Sequence, residues 1–369
     1  TWFRQVAAEA DAALRTSAEP GARALLTVQV ADLRAAHAWA RGADPVLAAR
    51  LTGSLHVHAL ATMSDEILGW AARLGPVLPD DDPAGAAAQV SVATRLVLGG
   101  ELAAGEHRAR RALEVATDDV VRMAALEVVG DVALYDGRLD DAAVTGAQIA
   151  ELARSHDDPH YLMAGLSYPV LCSSYGGRYD EAREWLARTR AELARFPDLG
   201  PSIVGNLAYC AGEIEIEHRP SAALAHLERA AELAERAGST FLGGIARVSA
   251  SSVRARHGNP AEALAAFDEV VRWWLVRADR THLVTTLRNL VDLLARVGAD
   301  PAAAELWGAV VSGGGSVSYG AERARLDVAR EHLEHRLGAD RFAELADVGG
   351  TLEPEAAARR ALAAMRPGV

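Results

Sequence analysis

The sequence contains no lysine; all 38 basic residues are arginine. A phosphate loop of the Walker type needs its lysine, and a Schiff-base enzyme needs an amine, so neither chemistry is available to these residues. Only two cysteines occur, Cys172 and Cys210, both in apolar helical stretches. They read as small buried thiols of a reducing cytoplasm rather than as a disulfide framework. Aromatic residues make up 5% of the chain, and no apolar run reaches the length of a membrane span. No signal peptide is visible. The net charge of −12 lacks the basic stripe that displaces counterions from phosphates, so direct nucleic-acid contact is not expected.

Motifs of catalysis and metal binding are missing too. There is no Gly-x-Ser-x-Gly elbow, no His-Glu-x-x-His and no Cys-x-x-Cys, so neither an enzyme nor a cofactor is expected. His156-Asp157-Asp158-Pro159-His160 packs four possible ligands together, but Asp-Pro is a helix-start signal and the stretch reads as a loop. His332 and His335 share a helix face without a third ligand, and His56 and His58 point to different faces. Gly313 to Gly315 has neither a flanking basic residue nor a preceding strand, and reads as a linker.

What is present is a repeat. A helix, a glycine or polar turn, and a small residue opening the next helix recur, as in Tyr135-Asp136-Gly137-Arg138-Leu139-Asp140-Asp141-Ala142 and Arg256-His257-Gly258-Asn259-Pro260-Ala261-Glu262-Ala263. The small residues fall at Gly69, Gly105, Ala142, Ala182, Ala223, Ala263 and Ala303, with separations of 36 to 41 residues. Glycine can take positive φ and close the first helix, while Asp or Asn followed by Pro caps and opens the second. Four residues after the last four small residues stand Leu186, Leu227, Phe267 and Trp307, placed to fill the groove between helices.

This resembles the tetratricopeptide repeat, with a longer period and a degenerate small position at Gly130, Val170, Ala211, Ser251 and Val291. The expected fold is all-α: a right-handed superhelical solenoid of about seven tetratricopeptide-like hairpins with helical end caps. Residues 1–48 form an N-terminal helical lead-in, 49–311 the repeats and 312–369 a C-terminal helical cap. Helices are expected over Thr1 to Leu14, Ala321 to Leu337 (with Leu326, Ala329 and Leu333 on one face), Arg341 to Val348 and Pro354 to Met365.

The ends narrow the class. Asp32-Leu33-Arg34-Ala35-Ala36-His37-Ala38-Trp39-Ala40, the closing string from Ala321-Glu322-Arg323-Ala324-Arg325-Leu326 to Leu352-Glu353-Pro354-Glu355-Ala356, and Ala303-Ala304-Glu305-Leu306-Trp307-Gly308-Ala309 are similar to the repeat region of actinobacterial signal-transduction ATPases with numerous domains. These include large SARP-type and LuxR-type transcriptional regulators. The resemblance implies an effector domain and a nucleotide-binding switch upstream of Thr1, partnered by this chain as their sensor and protein-interaction module. It also implies a cytoplasmic protein, possible self-association and a possible peptide or small-molecule ligand. The alternatives are a free-standing scaffold and a receptor with a pocket inside the superhelix.

In a tetratricopeptide superhelix the first helix of each pair lines the concave side. That register brings Tyr135, Tyr175, Arg256 and Arg296 to one ridge, with Asp131, Ser252, Arg288 and Asp292 nearby. A groove running from acidic to basic is the candidate partner-binding surface. Of the adjacent pair Trp273-Trp274, one ring is expected in the core and the other in packing between repeats or in partner contact.

Overall fold

The turn that repeats in the sequence is a helix-ending cap. In the computed structural model, which describes residues 2–75, 82–312 and 317–365, the same geometry recurs at five helix ends. A glycine sits at positive φ (Gly100, Gly137, Gly177, Gly238, Gly298). The next residue's N–H bonds back to a carbonyl five residues earlier, as in Arg138 N to Ala133 O at 2.8 Å and Arg178 N to Ser173 O at 2.8 Å. Gly258 departs from this expectation with φ −103°. There the second helix is opened instead by Asn259, whose side chain accepts from Ala261 N, and by Pro260.

All regular structure among the described residues is helical. The lead-in comprises α1 (Trp2–Leu14), α2 (Glu19–Ala43), α3 (Pro45–Gly53), α4 (His56–Thr62) and α5 (Asp65–Ala72), and a 3-10 turn at Pro83–Gly85 follows. Six full hairpins come next: α6 (Ala86–Leu98) with α7 (Leu102–Val115), α8 (Asp119–Tyr135) with α9 (Leu139–Ser155), and α10 (Pro159–Tyr175) with α11 (Tyr179–Leu193). Then come α12 (Pro201–Glu215) with α13 (Pro220–Ala237), α14 (Thr240–His257) with α15 (Pro260–Arg277), and α16 (Arg280–Arg296) with α17 (Asp300–Ser312). The chain ends in α18 (Gly320–Leu337), α19 (Ala339–Gly350) and α20 (Pro354–Ala364). The Gly69 copy of the motif lies on α5, an eight-residue helix, so the first hairpin is an abbreviated one.

The helices pack in sequence, each against its neighbours along the row. The small residues Ala142, Ala182, Ala223, Ala263 and Ala303 are fully buried where paired helices meet, as are Leu227 and Phe267 four residues on. Among the hairpins that wall the interior, α9 and α10 approach closely. There a Cβ added at Gly146 would stand 2.5 Å from the carbonyl oxygen of Gly165, so only glycine fits. The apolar interior is a row as well. One run of buried residues extends from α1 to α12 and another chiefly from α14 to α20, with Ala223, Leu227, Ala250 and Val253 in a small cluster between them. Trp307, on the last hairpin, turns outward from the repeats: its indole N–H donates to Leu326 O at 3.2 Å and its ring packs on Phe342 of α19.

Of the tryptophan pair, Trp274 is fully buried, stacked on His282 and filling the space left by Gly244. Trp273 is half-buried with the guanidiniums of Arg277 and Arg247 over its ring, at 3.6 and 5.0 Å from the centroid. Position 48 falls inside α3 and position 311 inside α17. Gly313 to Gly315 lies outside the described residues. Among those described, no helix is long and apolar enough to cross a membrane.

Candidate functional site

The first helices of the hairpins, α8, α10, α12, α14 and α16, face inward and wall a cavity of about 350 Å³. A solenoid would leave such a space open at both ends; here the two ends of the chain partly cover it. At the N-terminal ends of these helices, Glu19 of α2 accepts hydrogen bonds from the Ser202 backbone N–H (3.0 Å) and hydroxyl, opposite the guanidinium of Arg23 (2.6 Å). Arg15 pairs with Asp158, the residue that caps α10. At the C-terminal ends, the start of α18 lies across the opening. Val317 N donates to Tyr135 O at 2.9 Å and the Tyr319 hydroxyl to Leu134 O at 2.8 Å, with the Tyr319 ring against Gly137.

Of the sequence-predicted residues, Asp131, Tyr135, Tyr175, Ser252, Arg256 and Arg288 line this cavity. Asp292 lines a small niche beside it, together with Arg288, Glu322 and Arg325. Arg296 stands apart: its guanidinium donates to the carbonyls of Ala255 and Gly258 and so ties the end of α14 to α16. The expected run from acidic to basic is modified by carboxylates that the register argument did not include. Glu217 meets Arg256 at 2.7 Å and Arg325 at 2.9 Å, and Glu322 of α18 meets Arg288 at 3.4 Å.

The acidic side has no such compensation. Glu127 and Asp131 share the inner face of α8, one turn apart. Burial raises the pKa of both carboxyls, and mutual repulsion raises Glu127 further. The Tyr168 hydroxyl donates to Asp131 at 2.7 Å and tempers its rise. Glu213 of α12 accepts from Tyr175 at 2.9 Å through one oxygen, while its other oxygen is buried without a hydrogen-bond partner. Its pKa is raised by burial, although Ser249, Tyr175 and the more distant Arg256 and Arg325 pull it down. His282 closes the α16 side. Burial disfavours its charged form, but Asp279 at 2.8 Å from Nδ1 more than compensates and the imidazole is left with a raised pKa. Its Nε2 stands 3.1 Å from the Tyr135 hydroxyl.

Reasoning from sequence missed Tyr168, Tyr209, Tyr319, Glu127, Glu213 and His282. A signal was available. Six of the seven tyrosines line the cavity and no tryptophan does. On α8 and α12 the polar and aromatic residues recur at i, i+4: Glu127, Asp131 and Tyr135, then Tyr209 and Glu213. Polar residues on the inner face of otherwise apolar helices mark a lined interior.

The remaining candidates are structural. Cys172 and Cys210 are buried free thiols, both pushed up to about 12 by burial and so held as unreactive thiols. Asp158 caps α10, and His156 pairs with Asp119 at 2.9 Å. His56 and His58 are both buried; His56 reaches the cavity and stands 3.3 Å from the Ser91 hydroxyl. His332 and His335 are exposed. Among the described residues no group of three or more His, Cys, Asp or Glu could hold a metal ion.

No protein-family model matches the chain, and no curated protein matches it by sequence. Among solved structures the chain is similar to a Rap protein complexed with competence and sporulation factor. The TM-score is 0.57 at 12% identity, over 94% of this chain and 99% of that one. At that identity the likeness establishes the fold, a tetratricopeptide-like helical solenoid followed almost end to end.

Proposed function

We propose that this chain is the sensor and protein-interaction module of a multidomain transcriptional regulator. A small molecule or peptide held inside the superhelix sets how firmly the two chain ends close on the hairpins, and so biases an upstream ATPase switch and DNA-binding effector. The observation that carries this reading is the cavity itself. Its volume lies in the range of ligand pockets, and buried polar groups from five successive first helices converge on it. A ligand touching all five helices and both closing segments would couple their packing, because it binds the closed arrangement in preference to others. The regulator context is drawn from the resemblance of the lead-in, the last repeat and the closing helices. The Rap structure, solved as a complex, supports a binding role for this architecture.

The reading is tested by thermal melting of the chain against size-fractionated metabolite and peptide pools. A ligand of the folded state raises the melting temperature with concentration. At least one fraction is expected to do so. Ala164→Trp and Ser167→Phe, which fill the cavity from α10, should abolish the rise while keeping the helical signal. If no fraction shifts the melt, the receptor reading fails. If the gene upstream of Thr1 encodes no nucleotide-binding switch, the regulator context fails and a free-standing scaffold takes its place.

A further inference from the structure

The charges inside the cavity are not balanced locally: its arginines stand in ion pairs, Arg256 and Arg325 sharing Glu217, whereas a group of carboxylates stands apart from them. Every arginine on the wall meets a carboxylate: Arg23 with Glu19, Arg256 and Arg325 with Glu217, Arg288 with Glu322. Glu127, Asp131 and Glu213 have no cation within ion-pair distance among the described residues. Glu213 is 7% exposed, lines the cavity and keeps one carboxylate oxygen with no donor at hydrogen-bonding distance, although the Ser249 hydroxyl is near enough to favour its charged form. A buried acceptor left this way costs free energy until a donor reaches it.

Around these acids stand Tyr135, Tyr168, Tyr175 and Tyr209. Their hydroxyls are already engaged: Tyr168 with Asp131, Tyr175 with Glu213 and, at 3.5 Å, with Tyr209, and Tyr135 with His282. With their hydroxyls engaged, the tyrosines have their rings left to offer a ligand. Ring faces attract cations through their quadrupole, more strongly when water is excluded. Apolar side chains such as Met163, Ile203 and Phe241 complete the wall and suit a hydrocarbon body.

Building on the receptor reading above, we infer that the cavity binds an organic ammonium group, with Asp131 and Glu213 as its counter-charges and the tyrosine rings as its cage. The ammonium could belong to a small amine or to the amino end of a peptide; the chemistry of recognition is the same. An anionic ligand would instead compete with Glu217 and Glu322 for the arginines they already hold.

Calorimetric titration of the chain with three compounds of similar size and different charge tests this: phenethylamine, 2-phenylethanol and 3-phenylpropionate. The amine is expected to bind at least tenfold more tightly than the alcohol, and the acid most weakly. Glu213→Gln and Asp131→Asn keep the side-chain shape. Each should weaken the amine about tenfold and leave the alcohol unchanged, with circular dichroism confirming the fold. A tripeptide amide, Ala-Phe-Ala, with a free or acetylated amino end extends the series: a preference for the free end alone assigns the site to peptides. Equal binding of amine and alcohol, or preference for the acid, overturns the inference and leaves the receptor reading intact. Failure of every compound and peptide, with the cavity-filling variants behaving as the wild type in the metabolite screen, removes both.

Discussion

The two ends of the chain partly cover the same cavity with opposite chemistry. The N-terminal segment meets the N-terminal ends of the inner helices and brings an acceptor: Glu19 takes the Ser202 N–H in the first turn of α12, where the preceding Gly200 has no side chain to offer. The C-terminal segment meets the opposite ends and brings donors: Val317 N–H and Tyr319 O–H to the carbonyls of Tyr135 and Leu134, and Arg336 to Ala295 O. Helix starts expose unpaired N–H groups and a partial positive charge, and helix ends expose carbonyls and a partial negative one. At these backbone contacts each segment carries the polarity that the helix ends it meets lack, while charged pairs of either sense stand beside them: Arg15 with Asp158, and Glu355 of α20 with Arg280 at the start of α16. The two plugs are not interchangeable, and conditions that act on one need not act on the other.

The largest separation is expected on acidification. Burial holds His37, His56 and His58, all in the N-terminal segment, at about 4. The charges of Arg41 and Arg73 add to this at His37, His160 at His56 and Arg23 at His58. In the unfolded chain these rings take up protons below about 6.5. Between that pH and about 4 the unfolded state binds more protons, so stability is full above the window and falls as pH drops through it. The loss is on the order of 2–3 kcal/mol per ring by pH 4. Asp11, pushed up to about 6 by burial, acts in the other direction, because its folded form holds the proton more tightly and regains stability as pH falls. One carboxyl offsets part of what three rings lose. The C-terminal segment has no histidine of this kind: His332 and His335 are exposed. Hydrogen exchange followed from pH 7 to 4 should show α2 and α4 opening before α18. Simultaneous opening would break the distinction between the plugs.

Removing the acceptor is the next test. Glu19→Ala leaves the Arg23 guanidinium buried without its partner and the Ser202 N–H unsatisfied. Breaking a buried pair from one side costs about 3 kcal/mol. Urea unfolding should show a lower midpoint. Replacing both partners, Glu19→Gln with Arg23→Met, should recover much of the loss, since the orphaned charge goes with them. A double variant as weak as the single one would mean that Glu19 acts chiefly on α12 rather than on Arg23.

The difference between the plugs also marks what could be read from sequence. Local features were legible. The buried small residues from Ala142 to Ala303 share one spacing, and α18 begins one residue before the expected Ala321, with Leu326, Ala329 and Leu333 buried as its period requires. Asp131, Tyr135 and Tyr175 were reachable because register along a first helix is a local matter. Tyr319 was not, because its partner Leu134 lies 185 residues away and nothing near Tyr319 announces a carbonyl to meet. Glu19 and Ser202, 183 residues apart, are the same case. A repeat is encoded by contacts to the next unit, whereas closing its interior depends on how far the whole row curves.

The smallest effect isolates one such long-range bond. Tyr319→Phe keeps the ring against Gly137 and beside Tyr175 but removes the donor to Leu134 O. A single neutral hydrogen bond contributes about 1 kcal/mol net, and the carbonyl it leaves still belongs to a helix end that water can reach once the opening loosens. Global unfolding should move little. Exchange of the amides at the end of α8 and the start of α18 should rise about fivefold, with α2 and α4 unchanged. If α2 and α4 loosen equally, the cavity couples its two covers even when empty. The ligand would then be acting on a single cooperative closure rather than on two independent ones.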